Sequence, residues 1–323
     1  MAAPLHRLAM GHNVLFFSGK GGVGKTTLAA ATALAVAHSG RDVHLYSTDP
    51  AHNLGHLWHR EVGPTLTPLW PSAHHRPEVG RVLGCELDAN QLAGDHIDQV
   101  ARTLRTAISP ELRHHLDRYL TLVRTAPGTS ESALAEKIAE LCTQTHADGP
   151  LLIFDTAPTG HTARLMHLPE TMTAYTTALL RRRQRADRLA AATAALGGKT
   201  EGANTELAAA LARRKNLYAS FRDLLQNPAH SAFVLVLTAE RMPVAETISF
   251  AQELAQLRIT TAALITNRRT PPSFAARAAM EERYAADLRN ALPNIPLFAL
   301  PLLAGEPTGI TALQELAEIL SAA

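Results

Sequence analysis

Short apolar runs without strict alternation recur along the chain: Val14–Phe17, Val43–Tyr46, Val82–Leu87, Leu151–Phe154, Phe233–Leu237, Ala262–Thr266 and Ile295–Leu300. A strand with one solvated face alternates apolar and polar positions, whereas a strand covered on both faces is apolar throughout. These runs therefore predict buried, mainly parallel strands. Longer stretches of helical composition separate them, the first being Thr27–His38, stopped by Ser39-Gly40. Strands alternating with helices predict an α/β fold with a doubly wound, mainly parallel sheet. Ala89–Arg124 and Thr171–Gln226 break the alternation, being long, helical in composition and poor in strand formers, and read as helical insertions beside the sheet. The second contains Gly197–Gly202, a predicted turn, and Arg181–Arg185. That basic run reads as a solvated helix face, the alternative being a contact for an acidic partner or a membrane surface.

Composition narrows the class. The chain has 323 residues, 46% hydrophobic and 19% charged, enough for one large α/β domain or two smaller ones. A formal charge of +2 is near balance, so no nucleic-acid partner is expected. Sixteen histidines are scattered, and the doublets His74-His75 and His114-His115 lack metal-site spacing. Two cysteines, Cys85 and Cys142, form no CxxC, which argues against a disulfide framework, a zinc site or an iron–sulfur site and reads as small buried apolar residues in a reducing cytoplasm. No apolar run reaches the roughly 20 residues of a membrane span, and residues 1–13 lack the apolar core of a secretion signal.

Candidate chemistry centres on Gly19-Lys20-Gly21-Gly22-Val23-Gly24-Lys25-Thr26-Thr27, which satisfies G-x-x-x-x-G-K-[ST] between an apolar strand and a helix. Its glycines let the backbone turn N–H groups inward, and the helix that follows adds its positive end at the same point. Lys25 is placed to reach the β- and γ-phosphates of ATP, the Thr26 hydroxyl to ligate Mg2+, and Thr27 to bond the α-phosphate. Lys20, directly after the first glycine, marks the deviant form of this loop.

Two acidic strand ends accompany it. The second strand runs into Ser47-Thr48-Asp49-Pro50-Ala51-His52-Asn53-Leu54. Ligands of doubly wound sheets lie at the carboxyl ends of strands, so Asp49 is expected to face the phosphates and orient a water for attack, the plain alternative being a capping Asp in a turn. Leu151–Phe154 ends in Asp155, the Walker B arrangement, which would hold Mg2+ through water. Thr156–Thr162 would then form a loop near the γ-phosphate, with Gly160 as pivot.

Together GKGGVGKTT at 19–27, STDPAHNL at 47–54 and DTAPTGHTARLMHLP at 155–169 closely resemble the family of the arsenite-pump ATPase (ArsA) and the tail-anchored-protein targeting ATPase. Weaker matches are Ala126-Pro127-Gly128 with Glu131, Glu246-Thr247, Asn267, and Pro301-Leu302 with Glu306 and Gly309. The resemblance implies a single α/β domain over residues 1–323, with a helical subdomain from insertions at about 89–137 and 171–226. It implies a homodimer bridged by nucleotide, because the loop motif occurs once. Lys20 would reach the partner's nucleotide, Asp49 would orient water, and Asn267, Pro301 and Leu302 would line the adenine.

Departures from the pattern are informative. Gly55-His56 stands where the family often has Ser-Asp. The region Ala89–Lys137 lacks the metalloid-binding cysteines of arsenite pumps, and the chain lacks the zinc-binding CxxC and the methionine-rich groove of eukaryotic targeting factors. The leading expectation is a cytoplasmic MgATPase, peripheral to a membrane, that energises a membrane-protein partner in the manner of arsenite transport. The alternative is a targeting factor for tail-anchored clients. A ParA- or MinD-like spatial organiser fits less well, because Asp155–Thr162 differs from those relatives and Ile310–Ala323 contains no lysine or arginine.

Overall fold

The computed structural model describes residues 5–49, 53–71, 78–107, 113–124, 126, 128–146, 148–194 and 203–322. They form two compact units. The first comprises Met1–Asp88, Gln144–Arg164 and Leu224–Ala323; the second comprises Ala89–Thr143 and Leu165–Asp223.

The first unit is built on eight strands: β1 (Val14–Ser18), β2 (Val43–Ser47), β3 (Thr67–Trp70), β4 (Val82–Glu86), β5 (Leu151–Asp155), β6 (Ser231–Thr238), β7 (Thr261–Arg269) and β8 (Leu297–Pro301). Their order is β3-β4-β2-β5-β1-β6-β7-β8, parallel except for the β3–β4 pair. Every apolar run named above overlaps a strand, with Leu87 falling just past β4 and Ile295-Pro296 just before β8. The pattern missed β3, which has four residues and carries Pro68, tolerated at an edge because the edge needs fewer ladder donors.

Side chains show why the central strands lack alternation. Leu15 and Phe17 of β1, Leu151 and Ile153 of β5, and Val234 and Val236 of β6 belong to one core cluster with α2 (Lys25–His38). Intervening residues pack on themselves. Tyr46, Phe154, Phe16 and Phe233, on four adjacent strands, stack with ring centroids 5.2, 5.1 and 4.9 Å apart, and Phe250 of α9 (Arg241–Gln256) meets Phe233 edge-on at 6.0 Å. Such same-register pairs stabilise a sheet beyond the burial itself. Helix α2 is alanine-rich and buried nearly all round, as an apolar helix without a polar face must be. It packs against α1 (Leu5–Met10), α3 (Asn53–Trp58) and α11 (Gly309–Ala322), while α9 packs on β6, β7 and α10 (Ala275–Ala291).

The second unit contains α4 (Ala89–Ala107), α5 (Arg113–Arg124), α6 (Thr129–Thr143), most of α7 (Thr159–Ala194) and α8 (Ala203–Leu225) up to Asp223. Arg214 of α8 pairs with Glu136 of α6 at 2.9 Å and lies over the Tyr218 ring. No described helix is long and apolar enough to cross a membrane. Pro50–His52, His74-His75, Pro127 and the turn at Gly197–Gly202 lie outside the described residues, as do the side chains of His115, His161 and Arg182–Gln184.

Candidate nucleotide site

The carboxyl ends of β1, β2, β4 and β5 come into register at one edge of the sheet: Phe17 opposite Asp155, and Ser47 opposite both Asp155 and Glu86. From this edge the chain enters α2 through Gly24, whose φ of +97° is a left-handed conformation that disfavours a side chain. A Cβ there would lie 2.4 Å from Asn267 Nδ2, so only glycine admits the asparagine. Gly19 is as constrained, since a Cβ would meet the Val236 carbonyl oxygen at 2.0 Å. No side chain caps the start of α2, and its first-turn N–H groups are the kind of array that binds anions.

Around this helix start lies a cavity of about 320 Å³. Gly22, Gly24, Lys25, Thr26 and Thr27 line it, with Asp49 beside them. Asn267, which touches the loop at Gly24 and Val23, also lines it, as do Pro301, Leu302 and Glu306. Of the remaining expected loop residues, Gly19, Lys20, Gly21 and Val23 do not line it. Val23 is buried and accepts a 2.9 Å hydrogen bond from Asn267 Nδ2 on its carbonyl. Lys20 pairs with Glu246 of α9 at 2.9 Å, both side chains being more than a third exposed.

Lys25 is 4% exposed and donates to the Lys20 carbonyl at 3.2 Å. Burial holds its pKa below the usual lysine value, and the charges of Asp155 and Asp49 offset part of that shift. Asp155 is fully buried. Its carboxyl is pushed up to about 7 by burial, against the opposing effects of the Thr26 hydroxyl and the Lys25 charge. One oxygen accepts from Thr26 Oγ1 at 2.5 Å, and the other, Oδ1, has no hydrogen-bond partner.

That orphaned oxygen bears on magnesium. A buried carboxylate beside a threonine hydroxyl is an all-oxygen donor set of the kind a hard dication takes, and an unpartnered oxygen costs stability unless something binds it. Thr26 and Asp155 therefore fit Mg2+. When bound, the ion would neutralise charge on phosphate oxygens.

The two acidic strand ends are stitched together. Thr48 N–H donates to the Asp155 carbonyl at 2.9 Å, and Ala157 N–H donates to Thr48 Oγ1 at 3.3 Å. Thr156 Oγ1 donates to the Phe17 carbonyl, and Thr162 Oγ1 donates to the Ala157 carbonyl. The expected loop Thr156–Thr162 is shorter than its sequence suggested, because α7 begins at Thr159. Thr162 takes up the Ala157 carbonyl and Thr162 N–H bonds Pro158, so the segment closes into a first helical turn.

Several cavity residues carried no sequence signal of their own. Arg268 has a φ of +58° and sits where the β7–β8 register shifts between Thr266 and Arg269, an irregularity that re-aims side chains. His56, Leu57, Thr308 and Ile319 also line the wall. Of these, His56 alone stood out in the sequence, and only as a departure from the family pattern. Both cysteines are buried, and burial pushes the Cys142 thiol well above its ordinary range.

The sequence profile of the anion-transporting ATPase family matches residues 12–322. A protein of Aquifex aeolicus (strain VF5), provisionally named arsenical pump-driving ATPase 2, is 26% identical over 313 residues, covering 95% of this chain and 98% of its own length. The arsenical pump-driving ATPase of Acidiphilium multivorum is 27% identical over 316 residues, 94% of this chain but 48% of its own length. ATPase ASNA1 homolog 2 of Paramecium tetraurelia is 27% identical over 316 residues, 95% of this chain and 92% of its own. The chain thus spans about half of some relatives and nearly all of others.

Proposed function

Because the chain belongs to the anion-transporting ATPase family, we propose that it is a MgATP-hydrolysing switch working as a nucleotide-bridged homodimer, in the style of an arsenical pump-driving ATPase. The observation that carries this reading is the shared cavity, where the start of α2, Asp49 and Asn267 line one hollow. The start of α2 and Lys25 take the phosphates, Thr26 and Asp155 hold magnesium, and Asp49 orients the attacking water. The first and second switches are Asp49 with its flanks and Asp155–Thr162.

Asn267 supports adenine as the base. Its Oδ1 already accepts from Arg268 N–H at 2.9 Å and its Nδ2 already donates to the Val23 carbonyl. One N–H and one lone pair remain, which matches the donor and acceptor that adenine offers at N6 and N7 and mismatches the two acceptors of guanine. Lys20 takes the cross-dimer role at little cost, since the exposed pair it would release is worth about 0–1 kcal/mol.

Loss of the γ-phosphate would release the switches, and α7, which starts in the second switch, continues into the helical unit from Leu165. That unit is where we place the action on a membrane-protein partner, with the protein cytoplasmic and peripheral. The burial of both cysteines disfavours metalloid capture by thiolates of this chain. It thereby keeps the second reading, a targeting ATPase for apolar client segments, in play. Phosphate release by purified protein with MgATP, and sedimentation with a non-hydrolysable analogue, test the proposal. The expected results are turnover and a nucleotide-dependent dimer, with Lys20→Ala sparing nucleotide affinity and slowing turnover. Absence of adenine-nucleotide binding would overturn it.

A further inference from the structure

Beside the nucleotide cavity, a more open cleft of about 620 Å³ is lined by Gly55, His56, His59, Arg60 and, at the tip of β4, Glu86. Glu86 is 7% exposed, unusual for a carboxylate, which loses hydration on burial unless bonded. Its Oε1 accepts the N–H of Gly55 at 3.1 Å. Gly55 lies in the first turn of α3, where backbone N–H groups have no partner within the helix. The carboxylate is thus a cap supplied from another strand.

The contact leaves no room for variation at residue 55. A Cβ on Gly55 would lie 2.9 Å from the Arg60 carbonyl oxygen and 3.9 Å from Glu86 Oε1. Arg60 N–H also donates to the Gly55 carbonyl at 3.1 Å, so the turn leaving α3 is folded tightly onto its start. This accounts for glycine at the position where the sequence departs from the family pattern.

The neighbouring residue of the same strand tip grips the other side of the first switch. Leu87 N–H donates to the Ser47 carbonyl at 2.8 Å, and Ser47 Oγ accepts from Asp49 N–H at 3.4 Å. Glu86 and Leu87 therefore bracket Asp49, one holding the chain before it and the other holding α3 after it. Beyond them the chain runs through Asp88 directly into α4.

We propose that Glu86 is a positioning residue for the first switch, whose carboxylate holds α3 through Gly55 and thereby sets Asp49 toward the phosphate end of the cavity. The inference rests on the reading of Asp49 as the water-orienting carboxylate. It adds a mechanical link: displacement of α3 during turnover acts on the strand tip that leads into α4.

Glu86→Ala and Glu86→Gln in the full chain test it, with three readouts: MgATP affinity, kcat with KM, and hydrogen exchange of the α3 amides 53–58 without nucleotide. The Ala variant is expected to keep nucleotide affinity within about twofold, lose roughly tenfold or more in kcat, and exchange its α3 amides faster. Gln keeps an acceptor oxygen and is expected to recover kcat to within about threefold of wild type. Unchanged kcat or unchanged α3 exchange in the Ala variant overturns the inference. So does a joint loss of affinity, kcat and thermal midpoint that Gln fails to rescue, because that marks a purely structural residue. Wild-type protein that binds no MgATP overturns the ATPase reading itself, an outcome distinct from both.

Discussion

The part of the cavity proposed to take the phosphates is lined by one short stretch of chain, Gly22 and Gly24–Thr27, together with Asp49, whereas the rest is assembled from Asn267-Arg268, Pro301–Leu303 and Gly305–Thr308, brought together by β7 and β8. The first would act mainly through backbone N–H groups and one buried lysine. The second would act through groups held by partners remote in sequence: the Asn267 side chain by the Val23 carbonyl, and the Leu302 backbone N–H by the Arg269 carbonyl at 2.9 Å. A backbone cradle reads phosphate, which every nucleotide shares, while an assembled wall can read the base. Substitutions in the first part should therefore damage turnover or overall affinity, and those in the second should damage discrimination.

The largest effect is expected at Asp49. Asp49→Asn should retain MgATP affinity and lose about 10²- to 10⁴-fold in kcat, measured by single-turnover phosphate release. Normal turnover would remove Asp49 from its assigned role. Next comes Lys25→Ala, where loss of a buried charge at the phosphates should weaken MgATP and MgGTP alike by about 100-fold in calorimetric titration. A loss confined to one nucleotide would break the proposed division between the two parts. Asn267→Ala should cost about tenfold in ATP affinity while leaving GTP nearly unchanged, so that selectivity collapses.

The smallest effect sharpens the comparison through stability. Glu281 of α10 is 4% exposed and accepts from Thr270 N–H at 2.9 Å and Thr270 Oγ1 at 2.5 Å, anchoring the chain as it leaves β7. Burial by itself raises its carboxyl, but the Thr270 bonds and the Arg277 and Arg269 guanidiniums outweigh it and hold the pKa below the usual glutamate range. A depressed folded-state value means the stabilisation is complete above the unfolded-state pKa, near about 4.3, and is lost as pH falls through the lower folded value. Glu281→Gln should cost about 1–2 kcal/mol at pH 7 in urea unfolding, and the gap to wild type should narrow below about pH 4. A gap constant with pH would mean the ionised form contributes nothing.

The same contrast governs what could be read in the chain beforehand. The strands were legible because a strand buried on both faces leaves an unbroken apolar run, as in Leu151–Phe154. Edge strand β3 was not, being short and interrupted by Pro68. The helical start at Thr159 was hidden by the glycine and proline around it, which read locally as loop.

The sequence alone determined the glycine-rich loop proposed to take the phosphates, since residues contiguous along the backbone stay neighbours in any fold that places a strand before them and a helix after. It also determined the acidic strand ends, Asp155 directly after its apolar run and Asp49 beyond Tyr46 with Ser47-Thr48 between them. Only the tertiary structure decided that Asp155 is dry, with one oxygen orphaned, that Asn267 keeps one donor and one acceptor, and that Glu86 caps α3. The physical reason is that burial and hydrogen-bond satisfaction depend on which distant segments meet, and spacing along a chain carries no record of that.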